Sequence, residues 1–575
     1  MTSNLRQRAN VLLEKARLHG NEEEHEQTDH WSNRDLIPLP PKRRVWGWFN
    51  FFGYWAISSL NISTWQSPNT YLAQGLSVRQ SMAVIVVGRL MITLFSSLVA
   101  WCGLQWHIGF TIQNRISWGL RGSYIPLLQR VLLNFIWSAV QCWNGGRLVA
   151  ICLTAIWPSF ATMHNFLPAS MSQITTAYQF VGFILFWVLS TPFLLIPPEK
   201  FKLPFQVVSI YCGVAMLAMM IWALAEAKGV GPLWHTGEAV PATSRFNVSW
   251  IIMAGINQMV GTVAAGITNG SDFSRYARGW RHYIGGSTLS AFLVGTIVSF
   301  VGLVTTSAAQ SIYGEVYWNP PDLLMVMMDS GHGSSKARAG VFFLSFGFCL
   351  TAMFENICGN AVAGGIDLAG ILPRYINIRR GAFLTFLAIW VVQPWQLVNK
   401  ATTFINVLSS FSVFLAPLIG IMTTDFYLVR RQKIRLSHLY RPHDSIYWFA
   451  GGFNWRAFPA WLGGWAPTVG GLAYAAQGAT AGPKALYELY YMAFLLGFAI
   501  SAVIFFTLNA IFPPEGLGEF DDVDVYGTFT EKEAAKLGVV TNASIVEAVS
   551  DGDKNDSPDH GPEKQEGEMQ TVTAL

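Results

Sequence analysis

Apolar runs of about 20 residues, the length that crosses the hydrocarbon of a bilayer, recur along most of this chain and confine its charges to the ends and to short connectors. No water reaches backbone groups inside lipid, so runs of this length must be helices that satisfy their own hydrogen bonds. The 575 residues are 13% charged and 52% hydrophobic, whereas a soluble chain carries about a quarter charged residues. The expected fold class is an all-α polytopic membrane protein of about twelve spans. The spans fall near 48–70, 80–104, 126–156, 175–196, 204–226, 248–271, 283–309, 339–372, 381–397, 402–428, 457–477 and 487–512. Residues 1–45 read as an N-terminal tail, 46–512 as the transmembrane domain and 513–575 as a C-terminal tail.

Connectors on alternate sides hold unequal numbers of basic residues. One set includes Lys42, Arg43, Arg44, Arg115, Arg121, Arg275, Arg278, Arg281, Arg374, Arg379, Arg380, Arg430 and Arg431, while the other holds few, such as Arg79, Lys228, Arg245 and Lys336. The positive-inside rule then places both termini in the cytoplasm. The tails carry too little apolar surface to offset ordering and read as mostly unpacked. GDKNDSPDHGPEKQEGEMQ is either a handle for trafficking or ubiquitination machinery or a plain solvated tail. A net charge of +4 is too small to suggest nucleic acid. Six cysteines without a CxxC pair, nearly all in apolar runs, read as packing residues and neither as disulfides nor as a metal site. There is no metalloenzyme histidine pair, Gly-x-Ser-x-Gly or Walker loop, so an enzyme is not expected and uphill transport must draw on an ion gradient.

Two spans look interrupted. The first is diluted by Ser58, Ser59, Asn61, Ser63 and Thr64, and the sixth carries Gly255, Gly261, Gly266 and Gly270 with Asn257, Gln258 and Asn269. Broken helices five spans apart point to inverted repeats with a binding site at mid-membrane. Ordinary glycine packing between helices is the alternative. In the third span Trp137 and Gln141 share a face, one offering a flat ring and the other a donor and an acceptor. Trp143 points elsewhere. Glu355 interrupts the eighth span, and an acid there is a functional candidate by default. Asn356, Asn360 and Asp367 extend a polar stripe from it. Two acids also have plainer readings: Asp367 as an end-of-helix acid near Arg374, and Asp272 as a membrane-edge partner of Arg275. Arg89 is the deepest basic residue, expected either to pair with Glu355 or to snorkel into a side cavity.

The stretches WQSPNTYLAQGLS, FTIQNRISWGLRGS, WSAVQCWNGG, ITNGSDFSRYAR, YGEVYWNPPDLL and GIDLAGILPRYINIRRG resemble the fungal uracil, allantoin, uridine and thiamine permeases of the first nucleobase:cation symporter family. The resemblance implies a leucine-transporter-like fold of 5+5 inverted repeats with two additional helices, and alternating access. It assigns ring stacking to Trp137 and hydrogen bonding to Gln141 and Asn360, with Asp367 as the following acid. The sixth-span contribution falls near Val263, where the bacterial hydantoin permease has a second stacking tryptophan. This chain lacks it, so the substrate is either stacked on one side only or its other face is completed by another ring, Phe273 or Phe411. Asn61, at the first break, completes the substrate-binding candidates.

Sodium-coupled relatives use hydroxyl residues at positions that fall here on Phe354 and Glu355. A phenylalanine cannot ligate sodium, whereas a carboxylate in a dry site can load a proton. The expectation is therefore H+ as coupling ion, with sodium disfavoured and no metal or other cofactor. Glu355 is the candidate carrier, and Asp367, Arg89 and Asp272 are candidates for coupling or gating. The function implied is a plasma-membrane importer of a small heterocycle of the uracil, allantoin, uric acid or nucleoside class. Uracil-type relatives have Thr-Asn-Ile-Ser-Ala-Asn where this chain has Glu355 to Asn360, which argues against uracil itself. The alternative is a thiamine, nicotinamide riboside or pyridoxine permease on the same fold.

Overall fold

A break in a membrane helix frees backbone groups that need new partners, and the computed structural model of the chain shows how both breaks are closed. It describes residues 14–15, 17–18, 29–197, 200–237, 246–398, 401–477 and 482–541. The first span is α1 (Trp48–Ser59) and α2 (Ile62–Ala73). Between them Asn61 accepts from Thr64 N at 2.9 Å and donates to Ser58 O at 2.6 Å, so one asparagine caps both sides of the gap. Next come α3 (Val78–Trp106), the connector helix α4 (Phe110–Trp118), and α5 (Tyr124–Ile156), the third span. They are followed by α6 (Ala177–Ser190) and α7 (Lys202–Ala227).

The sixth span is α8 (Val248–Thr268), which stops at Asn269 and restarts as α9 (Gly270–Ser274). The glycines upstream do not form the gap. A side chain on Gly261 would place its Cβ 2.4 Å from the Leu408 carbonyl, so that glycine serves close helix contact. Both sequence readings of this span, break and packing, therefore hold at different residues. The two broken spans lie side by side, bonded by Tyr71 Oη to Gly255 O at 3.1 Å and Gln258 Nε2 to Thr70 Oγ1 at 2.9 Å.

Helices α10 (Trp280–Leu289) and α11 (Gly295–Tyr313) form the seventh span, and α12 (Pro320–Ser330) lies in the connector after it. The eighth span runs unbroken as α13 (Ser335–Glu355), a wider π turn over Asn356–Val362, and α14 (Ala363–Ile371). Then follow α15 (Ile378–Val392), α16 (Ala401–Thr424), α17 (Ala457–Ala476), α18 (Lys484–Tyr491), α19 (Ala493–Ile511) and α20 (Glu531–Leu537). Among the described residues, eight helical runs are long and apolar enough to cross a membrane. The other four expected stretches fall short for visible reasons. The first is two 12-residue halves, the third is diluted by Arg130, Asn134, Gln141, Asn144 and Arg147, the ninth has 15 residues, and the eleventh is rich in glycine with a proline inside it. The cysteines are free, as expected.

Composition assigns the tails to unpacked chain, and the described parts differ. Trp31, Leu36 and Ile37 from the N-terminal side and Phe529 and Ala534 from the C-terminal side are buried in one cluster with α4 and the connector before α17. Asn33 donates to the carbonyls of Pro373 and Ile376, and Arg115 to those of Trp31 and Leu439. The segment GDKNDSPDHGPEKQEGEMQ lies outside the described residues. A few apolar anchors suffice to dock a polar strap, and averaging over a window hides them.

The strap is held by Arg44, whose Nη1 donates to Glu533 and to His107 Nε2, each at 2.8 Å. Burial works against ionisation of Glu533, and its neighbours His107, Arg44 and the Thr530 amide outweigh it, holding the carboxyl well below the usual carboxylate range. Burial pushes the His107 imidazole below its ordinary value. Both groups bind fewer protons docked than released. Acidification therefore favours release, beginning as His107 charges near pH ~6.5 and continuing below ~4.3 as Glu533 protonates. Limited proteolysis is expected to cut the 519–541 segment faster in Arg44→Ala than in the wild type, and faster at pH 5 than at pH 7.5. Equal cleavage in both comparisons would show that this cluster does not hold the strap.

Candidate substrate site

Between the two breaks lies a cavity of about 70 Å³, walled by α1, α2, α5, α8 and the eighth span. Trp137, Gln141, Asn360, Val263, Asn61 and Glu355 all line it. So do Tyr54, Trp55 and Asn269, which the sequence reading did not name as site residues. A larger groove of about 1260 Å³ runs between α7 and α13. Its wall is made of exposed apolar side chains such as Val207, Ile210, Val214 and Phe343, which suits lipid contact and not solute passage.

The helix spacing of Trp137 and Gln141 does what it predicts, setting ring and amide on one wall one turn apart. The Trp137 ring lies 5.6 Å from Phe411, tilted by 39°. Phe273 is not in the cavity; it stacks on Trp46 at 5.9 Å and packs against Tyr54 at 4.4 Å. Of the two rings considered for the second face, Phe411 thus backs the same tryptophan, and Tyr54 and Trp55 of α1 supply the other aromatic wall. Trp143 packs away from the cavity against Phe183 and Trp395.

The π turn explains how one helix faces two ways. Glu355, Gly359 and Asn360 line the cavity, while Asn356 donates to the Ser138 carbonyl on α5 at 3.1 Å. Asn360 Nδ2 donates to Asn356 Oδ1 at 3.0 Å, and Asn269 Nδ2 to Gly359 O at 3.4 Å. Gln141 Nε2 bonds Ser63 Oγ at 3.2 Å. Glu355 Oε2 is buried and unbonded, and no cation pairs with it among the described residues. Phe354, at the other sodium-equivalent position, packs on Phe193 at 5.6 Å.

Four expectations need correction. Arg89 does not meet Glu355: its guanidinium packs on Gly295 and reaches one acceptor, Ala291 O, at 3.5 Å. Nor is it the only deep basic residue, since Arg130 and Arg147 lie in α5. Asp272 and Asp367 pair neither with Arg275 nor with Arg374 through their carboxylates. Both carboxylates bind the fully buried Arg130, whose Nη2 donates to Asp272 Oδ2 at 2.8 Å and whose Nε donates to Asp367 Oδ2 at 2.6 Å. Phe110 N donates to Asp272 at 2.9 Å, and the guanidinium lies 3.6 Å from the Phe110 ring centre. The cluster ties α4, α5, α9 and α14 together on the side of the cavity that carries the docked tails. Toward the opposite end, Gln66 bonds Asn319 at 2.8 Å and Asn144 at 3.3 Å, and Arg147 pairs with Asp322 of α12.

Residues 38–497 match a family described as permeases for cytosine/purines, uracil, thiamine and allantoin. The sequence is 35% identical to the transporter aclS of Aspergillus oryzae, covering 88% of this chain and 91% of that one. It is 33% identical to the allantoin permease of Saccharomyces cerevisiae, covering 84% and 76%. The fold is similar to that of Mhp1, a nucleobase-cation-symport-1 transporter solved in a closed conformation with bromovinylhydantoin bound. The TM-score is 0.66 at 19% identity, over 88% of this chain and 98% of that one.

Proposed function

The chain belongs to the family of permeases for cytosine/purines, uracil, thiamine and allantoin, and we propose that it is a proton-coupled importer of a small planar heterocycle at the plasma membrane. It is a membrane transporter with the leucine-transporter-like architecture, not an enzyme. The observation that carries the reading is the convergence of two indoles, four side-chain amides and an unpaired acid on one cavity between two broken spans. In this reading Trp137 stacks on the ring, Gln141 and Asn360 read its polar edge, and Glu355 carries the proton. The Arg130 cluster keeps the tail-bearing side shut until substrate and proton are loaded, and both tails lie in the cytoplasm. The C-terminal residues beyond the strap are the place for trafficking or ubiquitination machinery to act.

Uptake of labelled uracil, uridine, allantoin, uric acid, cytosine, thiamine and nicotinamide riboside, in cells lacking their own transporters, tests the reading. It is run at several pH values with and without sodium. Gln141→Ala and Asn360→Ala are each expected to cut uptake about tenfold, as loss of one buried polar contact does, and to reorder the competitors. Wild-type uptake with an unchanged ranking would remove these residues from the site.

One observation favours a second reading: an unpaired carboxylate in an aromatic-walled cavity also suits a cation, as thiamine and nicotinamide riboside are. Competition by these vitamins, and not by allantoin or uric acid, would decide for it.

A further inference from the structure

We propose that the groove between α7 and α13 holds one phospholipid whose headgroup carries a primary ammonium beside its phosphate, as phosphatidylethanolamine does. The site lies on the lipid-facing wall, apart from the substrate cavity, and does not depend on which solute the chain carries.

The shape of the groove follows from where two helices touch and where they part. Gly347 of α13 sits against α7, since a Cβ there would lie 2.7 Å from the Tyr211 ring and 3.4 Å from the Ala215 methyl. Tyr211 Oη donates to the Phe343 carbonyl at 3.0 Å and fastens the helices near the same level. Toward the start of α13 the contact is lost, and a Cβ on Gly340 would meet nothing within 4 Å. The result is a cleft shut near Gly347 and open at Lys336, with the ends of α11 and α12 behind it. From Gly347 to Lys336 the α13 axis rises about 16 Å, close to the ~15 Å of hydrocarbon in one leaflet. Val207, Ile210, Val214 and Phe343 keep this wall apolar and exposed. An acyl chain therefore lies along it without burying a polar group.

The open end is where the groove stops being ordinary lipid surface. Glu226 from the last turn of α7 and Lys336 from the first turn of α13 both line it, and both are exposed. Neither takes part in an ion pair among the described residues. Arg338, the next cation along α13, is committed to the carbonyls of Ala155 and Ile156 at 2.7 Å each. Tyr313 and Ser330, whose hydroxyls are 3.2 Å apart, stand at the same end. One cation and one anion over an apolar cleft match a zwitterion, with phosphate on Lys336 and ammonium on Glu226. A headgroup with a phosphate and no ammonium leaves Glu226 unanswered. A trimethylated ammonium brings charge but no N–H for the carboxylate. Phosphoethanolamine answers both residues.

The test reconstitutes the purified full-length protein with equal amounts of phosphatidylethanolamine, phosphatidylcholine and phosphatidylglycerol bearing the same acyl chains. Lipids that stay on the protein after transfer to mild detergent are counted by native mass spectrometry. One retained phosphatidylethanolamine per protein is expected, favoured about fivefold over each of the others. Glu226→Gln should bring it down to the level of phosphatidylcholine, and Lys336→Gln should lower retention of all three. Gly340→Phe puts a ring into the open space of the groove and should displace the lipid. All three positions are exposed, and an unchanged unfolding temperature in detergent checks that each variant folds. Retained lipid in the proportions supplied, or a preference for either of the other two, overturns the proposal. So does phosphatidylethanolamine retention that neither Glu226→Gln nor Gly340→Phe reduces. Uptake is not read here, so the permease reading stands or falls separately on the uptake panel.

Discussion

Arg130→Ala is expected to destabilise the protein by about 3–5 kcal/mol and to abolish uptake. The guanidinium is wholly buried between two carboxylates that are themselves wholly buried. Removing it leaves two like charges in a dry site, with only Phe110 N, Thr111 Oγ1 and Asn134 Nδ2 to receive them. Replacing all three charges at once, as Arg130→Met with Asp272→Asn and Asp367→Asn, should recover most of the stability, because burying no charge costs less than burying an unpaired one. On the proposed gating role of the cluster, which joins four elements, it should not recover transport. Thermal unfolding in detergent, together with uptake, reads both effects. An Arg130→Ala protein as stable as the wild type would mean that the three groups do not act as a unit.

Glu355→Gln is expected to uncouple the transporter without emptying its site. Glutamine matches glutamate in size and polarity but cannot load and release a proton. Exchange of internal for external substrate should continue, while accumulation against a gradient and the acid stimulation of uptake should disappear. No basic side chain neutralises this acid among the described residues, which is why the proposed coupling is assigned to it. Concentrative uptake by Glu355→Gln with the wild-type pH profile would remove Glu355 from the coupling step.

The helices were legible from the sequence because span length and apolarity are local properties. So was the wall formed by Trp137, Gln141 and Asn360, through fixed spacing along a helix and polar groups where lipid excludes them. Arg130 was not legible. It sits near the start of an apolar run, where a basic residue ordinarily snorkels, and its partners lie 142 and 237 positions further on. Local pattern says nothing about such distant pairs. Tyr54 and Trp55 were hidden by abundance, being two of 18 tyrosines and 23 tryptophans. Asn269 was seen as a polar residue in a suspect span, but its capture by Gly359 depends on how two spans meet. The docked tails escaped notice because their anchors, Trp31, Leu36, Ile37 and Phe529, are sparse in charged sequence.

The π turn of the eighth span has a consequence for phase along that helix. Widening one turn amounts to inserting a residue into an α-helical run, and each residue advances the helix by about 100°. Straightening this turn into regular α-helix without removing a residue would leave Glu355 pointing as it does and swing Asp367 by about 100° away from Arg130, whereas excising one residue between 356 and 362 would keep both in place. The carboxylate at the cavity and the carboxylate bound to Arg130 are therefore kept in step by this one widened turn.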